Sequence, residues 1–366
     1  YGPALEDQLR PTGLSLRHYP QSFEFSTLGG WIATRAGGHF ATLHTHIDDL
    51  VEGLRVVTPR GTIETRRLPG SGAGPQPERF FLGSEGTLGV ITEAWMRLFP
   101  RPTHRAAFTA RFAGFEKGLG ALRALAQSGL HPANCRLLDP REALLGAAGG
   151  GDEALLLVAF ESGDHPVDAA IARAAELCRD AGGAVPDLAP APRGGGPGER
   201  EGAAGAFRQS FLRAPYLRDE LVLRDVFVET YETAVTWDRI DALHQAVVAA
   251  AERAARETGG ACVVSCRITH AYPDGAAPYY TVLAPARPGE EEEQWDTIKH
   301  AVTSAMLEQG GTTTHHHAVG RDCVRFAERE RGPLVGLTLS AMKRALDPRG
   351  ILNPGVLLPA EARAQG

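Results

Sequence analysis

The amino-acid sequence predicts an α+β protein, in which a turn-rich part made of short strands precedes strands and helices in alternation. Residues 20–100 show short apolar alternations interrupted by glycine and proline, a pattern typical of hairpins and loops. From residue 104 onward, segments with apolar residues at every third or fourth position alternate with short apolar runs, which indicates helices between strands. The length of 366 residues is enough for two or three domains.

After residue 100 the predicted elements follow a regular order. The first set contains the strand HRAAFTARF (104–112), the helix FEKGLGALRALAQSG, the strands NCRLLD and ALLLVAFE, and the helix VDAAIARAAELCRDAGG. A Gly- and Pro-rich bridge from about Pro186 to Gly205 is predicted as a flexible loop. The second set contains the strand DVFVETYET, the helix DRIDALHQAVVAAAERAARETGG, the strands ACVVSCRITH and YYTVLAP, and the helix EEEQWDTIKHAVTSAMLEQGG. Together they predict an antiparallel sheet with helices on one face, in a ferredoxin-like arrangement, followed by a helical tail that ends at Asp347-Pro348.

The composition argues against several classes of protein. A net charge of -6 does not provide the basic surface that nucleic acid requires. No run approaches the ~20 apolar residues that cross a bilayer, and the first residues do not resemble a signal peptide, so a cytoplasmic protein is predicted. The five cysteines are scattered without a CxxC pair, which argues against a disulfide framework or a structural zinc site, and no metal is predicted.

Two clusters combine glycines with hydroxyl side chains. In EFSTLGGWIATRAGG (24–38) and GSEGTLGVITE (83–93), glycine lets the backbone approach a ligand closely, while serine and threonine can bond its oxygens. Such loops bind phosphates and flavin rings, but two tight turns and a hairpin corner are equally consistent with the pattern. The second cluster is not GxGxxG and leads into a strand, so a nicotinamide cofactor bound in the Rossmann manner is disfavoured.

Three successive histidines and two arginines are the other candidates for chemistry. If GGTTTHHHAVGRD (310–322) is extended, His315 and His317 share one face and His316 points away. An acid/base role suits imidazoles near neutral pH, whereas the alternative is a charged surface run. Arg136, in the apolar strand CRLLD, and Arg218, in PYLRDELVL, each either pair with a carboxylate or bind an anion.

Eight strings follow one another along nearly the whole chain: EFSTLGGWIATRA, VTPRG, GSEGTLGVITEA, CRLLD, PYLRD, TWDR, SCRITHAY and HHHAVG. In this order they resemble the alkylglycerone-phosphate synthases. These are FAD enzymes of the vanillyl-alcohol oxidase type. The resemblance implies the C-terminal portion of a PCMH-type FAD-binding domain at 1–100, a cap domain for the substrate at 101–325, and a C-terminal helix and tail at 326–366. It also implies that acyl-dihydroxyacetone phosphate exchanges its acyl group for a long-chain alcohol in ether-lipid synthesis.

The resemblance also implies roles for individual residues. Tyr279 corresponds to the family's catalytic tyrosine, with His315, His316, His317 and Arg136 as further catalytic residues, and Arg218 is expected to bind the substrate phosphate. In the family a base removes a C1 proton, flavin N5 adds to that carbon, the fatty acid leaves and the alcohol attacks. Tyr279 can act as the base only if a nearby cation stabilises its phenolate. The residues expected to contact FAD are Gln21, Ser22, Phe23, Glu24, Phe25, Ser26, Thr27, Thr34, Arg35, Ala36, Gly37, Glu85, Gly86, Thr87, Leu88, Gly89, Val90 and Ile91.

The chain departs from the family in several places. The family's pyrophosphate-binding loop has no counterpart before Tyr1, so we expect a fragment, or a second polypeptide that completes the FAD site, and weak FAD binding by this chain alone. Ala318 stands where the family usually has glycine. The tail KRALDPRGILNPG resembles FAD-linked D-lactate and D-2-hydroxyglutarate dehydrogenases, which makes a D-2-hydroxy-acid oxidoreductase the alternative function. A homodimer and a peripheral membrane contact stay open.

Overall fold

The structure is a computed structural model that describes residues 1–146, 148–149, 151–188, 213–214 and 216–359. The chain divides into two compact units. The first unit contains residues 1–39, 44–100 and 313 onward, and the second contains residues 40–43 and 101–312. These units differ from the three predicted domains, because residues 313–325 and the C-terminal tail group with the first unit. This segment is hydrogen-bonded to the 83–89 loop: the Gly320 N–H donates to the Glu85 carboxylate, and Lys343 Nζ donates to the Thr87 carbonyl oxygen.

The helices and strands are numbered in chain order. The α-helices are α1 (Gly2–Leu9), α2 (Leu28–Thr34), α3 (Phe115–Gln127), α4 (Pro140–Leu145), α5 (Asp168–Asp180), α6 (Ile240–Glu257), α7 (Glu291–Glu308) and α8 (Val324–Leu346). The strands are β1 (Leu14–Ser15), β2 (Val51–Thr58), β3 (Gly61–Glu64), β4 (Val90–Met96), β5 (Phe99–Pro100), β6 (His104–Phe112), β7 (Asn134–Leu138), β8 (Ala154–Ser162), β9 (Val226–Glu232), β10 (Val235–Thr236), β11 (Val263–Ala271) and β12 (Gly275–Pro285). Short 3-10 helices lie at Arg10–Thr12, Ile47–Leu50 and Pro77–Phe80, and residues 216–222 are helical.

The first unit contains two small antiparallel sheets, β3-β2-β4 and β1-β5. A turn at Thr58-Pro59-Arg60-Gly61 connects β2 to β3, with Thr58 paired to Gly61. Where two tight turns were the alternative for the first glycine cluster, the chain forms helix α2, because the side chain of Thr27 accepts a hydrogen bond from the Gly30 N–H and caps it. Trp31 and Ile32 of α2 are buried against apolar side chains of β2 and of the 83–89 loop.

The second unit is built on one antiparallel sheet in the order β10-β12-β11-β7-β8-β6, with β9 also paired to β12. One face packs against α3, α5, α6 and α7 through a large apolar core. The short helix α4 lies on the opposite face, where its Ala143 packs against Leu138, Leu155 and Leu157. The predicted antiparallel sheet with the long helices on one face is therefore confirmed.

The C-terminal helix α8 ends at Leu346, next to the predicted stop at Asp347-Pro348, and bends at Gly332-Pro333, where Gly332 has φ 72° and ψ 168°. A proline inside a helix removes one backbone hydrogen bond, which accounts for the bend. The Gly- and Pro-rich bridge lies largely outside the described residues. Within the described ranges, none of the helices combines the length and hydropathy needed to cross a bilayer.

Candidate functional site

In the first unit, the predicted cofactor-binding stretches meet at the end of α2. Residues 21–25 form turns, and α2 follows with Arg35 in the left-handed conformation at its C-terminus. The N–H groups of Gly83 and Glu85 donate to the carbonyl oxygens of Ile32 and Ala33, at 3.2 and 2.8 Å. The two glycine clusters, far apart in the sequence, are therefore joined through the backbone.

His18 lies just before these stretches and was missed by the sequence analysis. Its side chain is 1% exposed, and neither ring nitrogen has a hydrogen-bond partner among the described residues. Burial lowers the pKa of His18 to about 3, with a smaller contribution from His46, so the ring is neutral. A Cβ atom at Gly38 would lie 2.8 Å from its Nδ1, which explains why glycine occupies that position. A buried neutral imidazole without a partner fits a bound group with carbonyl and ring-nitrogen atoms, such as the isoalloxazine ring of FAD.

Glu85, one of the predicted cofactor residues, has a specific structural partner. Its two carboxylate oxygens accept hydrogen bonds from the N–H groups of Val319 and Gly320, at 2.9 and 2.7 Å. Burial raises the pKa of Glu85, and these two bonds oppose the rise. The side chain of Asn353 donates to the Glu85 carbonyl oxygen. Glu85 therefore connects the second glycine cluster to the segment that follows the histidines.

Residues 313–320, which we call the histidine turn, are bent rather than extended. His315 Nδ1 lies 3.0 Å from His316 Nδ1, and the ring centres of His316 and His317 are 4.6 Å apart. The prediction that His316 points away from its neighbours is wrong, because alternation of side chains requires a strand. Here the Thr314 hydroxyl accepts a hydrogen bond from the His317 N–H, and Ala318 has a φ of 70°, which together bend the chain.

His46 joins this cluster, although no sequence motif identified it. Its Nε2 lies 3.0 Å from the carbonyl oxygen of His315, and the two ring centres are 4.6 Å apart. Because a carbonyl only accepts, Nε2 of His46 carries a proton. The Thr45 hydroxyl lies 3.2 Å from the other ring nitrogen. The available signal was the histidine-rich string HFATLHTH that follows the first glycine cluster.

In the second unit, Arg136 and Tyr279 project from the same face of the sheet, opposite the long helices. Arg136 on β7 is 6% exposed and Tyr279 on β12 is 5% exposed. Between them, β11 pairs Arg267 with Tyr279 on one side and with Leu138 on the other. Since alternate residues of a strand share a face, Arg136, Arg267 and Tyr279 lie together on what we call the polar face.

Arg267, which the sequence analysis did not single out, holds Tyr279. Its guanidinium carbon lies over the tyrosine ring, 3.8 Å from the ring centre, and its Nη1 donates to Glu142 of α4. Burial raises the pKa of Tyr279, while Arg267 and a hydrogen bond with Thr230 oppose the rise. The phenol is therefore protonated at neutral pH, and the cation beside it on this face is an arginine.

The carboxylates behind Arg267 form a buried network. Glu142 also accepts a hydrogen bond from the Ser265 hydroxyl, at 2.5 Å. Asp139 caps α4 by accepting from the Glu142 N–H at 2.6 Å and from the Cys266 N–H at 2.7 Å. Burial raises the pKa of Asp139 to about 6, although both of these bonds lower it. The network fixes α4 to the middle strands of the polar face.

Arg218 lies on an exposed helical segment of the second unit. It belongs to the helical residues 216–222, its side chain is 64% exposed, and its Nη2 is 3.7 Å from the Asp219 carboxylate. Among the described residues, the ion pair of Arg218 is with its neighbour Asp219 and not with a residue of the polar face.

Two protein families match this chain. Residues 101–357 match the family described as "FAD linked oxidases, C-terminal domain", and residues 1–66 match "FAD binding domain". Both matches confirm the predicted cofactor, FAD.

Individual proteins are similar over almost the whole chain. The alkyldihydroxyacetonephosphate synthase of Dictyostelium discoideum is 31% identical over 98% of this chain and 61% of its own length. A solved structure of an alkyldihydroxyacetonephosphate synthase superposes with a TM-score of 0.75 at 27% identity, covering 96% of this chain and 62% of that one. The chain thus spans less than two thirds of these relatives.

A more distant structure supports the predicted fold class. The structure of p-cresol methylhydroxylase with substrate bound superposes with a TM-score of 0.66 at 17% identity, over 97% of this chain and 74% of that one. At this identity the similarity concerns the fold alone. Together with the family matches, it confirms an α+β protein of the PCMH type.

Proposed function

The chain belongs to the family of FAD-linked oxidases, and on that premise we propose that it acts as an alkylglycerone-phosphate synthase. The proposed reaction joins acyl-dihydroxyacetone phosphate and a long-chain alcohol. The bond between C1 and the acyl oxygen breaks, a bond between C1 and the alcohol oxygen forms, and the fatty acid leaves. The proton of the alcohol leaves with the carboxylate as the fatty acid. The exchange involves no net oxidation or reduction.

The observation that carries this proposal is the buried pair of Arg267 and Tyr279 on the polar face, 3.8 Å from guanidinium carbon to ring centre. A tyrosine that takes a proton from substrate carbon needs a fixed position and a cation that stabilises its phenolate. Arg267, which Glu142 holds from the other side, fixes the position of the ring and favours the phenolate against the opposing effect of burial. The similarity to synthases over 98% of the chain supports the same conclusion.

The remaining residues have binding roles in this proposal. FAD, when bound, supplies an electron-poor ring beside the substrate carbon. The stretches Gln21–Thr27, Thr34–Gly37 and Glu85–Ile91 would hold it, and His18 would offer its unpartnered ring nitrogens. Arg218, whose side chain is exposed on the helical residues 216–222, would bind the substrate phosphate, since a guanidinium forms two parallel hydrogen bonds with phosphate oxygens, and Arg136 would be a further catalytic residue. His315, His316 and His317 would transfer protons, and the Nδ1 atoms of His315 and His316 lie 3.0 Å apart, within hydrogen-bond distance.

The test is an exchange assay on the protein that contains this chain, loaded with FAD. Palmitoyl-dihydroxyacetone phosphate is incubated with isotope-labelled hexadecanol, and the expected products are labelled alkyl-dihydroxyacetone phosphate and free palmitate. A dye that accepts electrons should stay oxidised. If the dye is instead reduced by D-lactate or D-2-hydroxyglutarate and no labelled ether forms, the oxidoreductase alternative replaces the proposal.

The proposed substrates are lipids, which bears on whether the protein contacts a membrane. Because both carry long alkyl chains, a peripheral membrane contact is expected, and co-sedimentation with lipid vesicles would detect it. A homodimer belongs to the same proposal and can be measured by light scattering.

A further inference from the structure

We propose that Glu85 and Glu330 are positioning residues for the three histidines, because their carboxylates hold the two ends of the histidine turn. The inference rests on the proposed function, in which His315, His316 and His317 move protons. It concerns the backbone that carries these rings rather than the rings themselves.

Glu85 holds the C-terminal end. Each of its carboxylate oxygens accepts one of two consecutive N–H groups, those of Val319 and Gly320. The backbone of Glu85 is itself fixed, since its N–H donates to Ala33 at 2.8 Å and its carbonyl accepts from Asn353. Hydrogen bonds to an ionised acceptor are roughly twice as strong as neutral ones. The end of the turn is therefore tied to a rigid part of the first unit.

Glu330 holds the N-terminal end. The N–H of the buried Thr313 donates to its carboxylate at 2.6 Å. Glu330 lies on α8, the helix that begins only a few residues after the turn and is packed into the unit by Phe326 and Ala327. The turn is thereby closed onto the helix that follows it.

Between these ends, two further hydrogen bonds involve the turn. His46 donates to the carbonyl of His315, and Thr314 accepts from the N–H of His317. The turn has no strand or helix ladder to order its backbone. Because a general acid or base must lie within hydrogen-bond reach of its proton, a small backbone displacement is enough to remove an imidazole from its task. The two carboxylates fix both ends of this irregular backbone.

The experiment compares Glu85→Gln and Glu330→Gln with Glu93→Gln in the whole FAD-loaded protein. Glu93 is the control because its exposed carboxylate pairs with Arg55, which keeps Glu64 as a second partner. Hydrogen exchange measured by mass spectrometry reports the turn directly. We expect about tenfold faster exchange at Val319 and Gly320 in Glu85→Gln, and at Thr313 in Glu330→Gln, since each loses a charge-assisted acceptor.

Steady-state kinetics then separate positioning from folding. We expect kcat for alkyl exchange to fall about tenfold in both variants, while KM stays within about twofold of the wild-type value. The control should match the wild type in kcat and in amide hydrogen exchange. FAD content is measured in each preparation. Glu330→Gln is the decisive variant, because Glu330 lies outside the predicted cofactor stretches and its loss should leave FAD bound.

Two results would overturn the proposal. Unchanged amide hydrogen exchange in both variants would show that the carboxylates do not hold the turn. Faster amide hydrogen exchange with an unchanged kcat would show that the carboxylates hold the turn but that its order does not serve the reaction. If the wild type catalyses no alkyl exchange, the proposed function fails and the positioning role fails with it, whereas the exchange rates still decide whether the carboxylates hold the turn.

Discussion

Arg267 and Tyr279 are cross-strand partners, and the guanidinium carbon of Arg267 lies over the tyrosine ring at 3.8 Å from its centre. This arrangement supplies the phenol with a cation while both side chains are buried. It also explains the presence of Glu142, since a buried guanidinium needs a carboxylate. The polar face is thus organised around one ion pair and one aromatic ring.

Replacing Tyr279 by phenylalanine should abolish alkyl exchange while leaving FAD bound. The substitution removes only the hydroxyl, so the ring against Arg267 and the fold are kept, and a general base contributes roughly 10²- to 10⁴-fold to a rate. Tyr280→Phe is the matched control, because this neighbour lies on the opposite face in the apolar core. Turnover by Tyr279→Phe at the level of the control would remove Tyr279 from its proposed role.

Replacing Arg267 by glutamine should raise the pKa of Tyr279 further and destabilise the second unit. Burial already raises this pKa, and Arg267 opposes the rise, so its loss leaves burial unopposed. Removing one partner of a buried ion pair typically costs about 3–5 kcal/mol, which urea unfolding would measure.

The double variant Arg267→Gln with Glu142→Gln separates the effect on the pKa of Tyr279 from the effect on the free energy of unfolding. It should recover part of the lost free energy of unfolding, because no buried charge is left unpaired, but it should not restore the pKa of Tyr279. Equal stability of the single and double variants would argue against a buried, ionised pair.

How far the sequence determines these features differs between the fold and the site. The strands and long helices of the second unit were predictable because their periodicity is local, as in HRAAFTARF and the strand β6 that it forms. Helix α2 was not predicted, since two glycines follow its start and its formation depends on the cap provided by Thr27. That cap was nevertheless visible in the sequence as a threonine before an apolar run.

The site was predicted less completely, because its contacts join residues distant in sequence. Arg267 and Glu142 are 125 positions apart, and Glu85 and Gly320 are 235 apart, so no local pattern could pair them. The alternation rule failed at His316 because it presupposes a strand. The roles of Tyr279, Arg136, Arg218, the three histidines and the cofactor stretches stay predictions.

Replacing Asp139 by asparagine should change how stability depends on pH. Burial raises the pKa of Asp139 from 3.8 to about 6 in the folded protein. The folded protein therefore binds the proton of the Asp139 carboxyl group more tightly than the unfolded chain does. The stabilisation that this proton gives is present below the unfolded pKa and is lost as the pH rises toward the folded pKa. At 1.36 kcal/mol per pKa unit, the loss amounts to at most about 3 kcal/mol.

The measurement is urea unfolding of the wild type and of Asp139→Asn from about pH 4 to about pH 7. The stability of the wild type relative to the variant should decline over this range. Asp152→Asn, at an exposed position, is the control and should parallel the wild type. Parallel curves for the wild type and Asp139→Asn would mean that Asp139 titrates at its ordinary pKa in the folded protein.

Replacing Ala318 by glycine should stabilise the first unit. Ala318 has a φ of 70°, in the left-handed region, which costs a residue with a Cβ roughly 1–2 kcal/mol. Glycine removes this strain but adds about 0.5–1 kcal/mol of backbone entropy in the unfolded chain, so a net gain of about 0.5–1 kcal/mol is expected. The control is Ala113→Gly, at an exposed bend with negative φ, where only the entropy term acts and the free energy of unfolding should fall. A loss of stability at both positions would show that the histidine turn does not hold Ala318 in the left-handed conformation in solution.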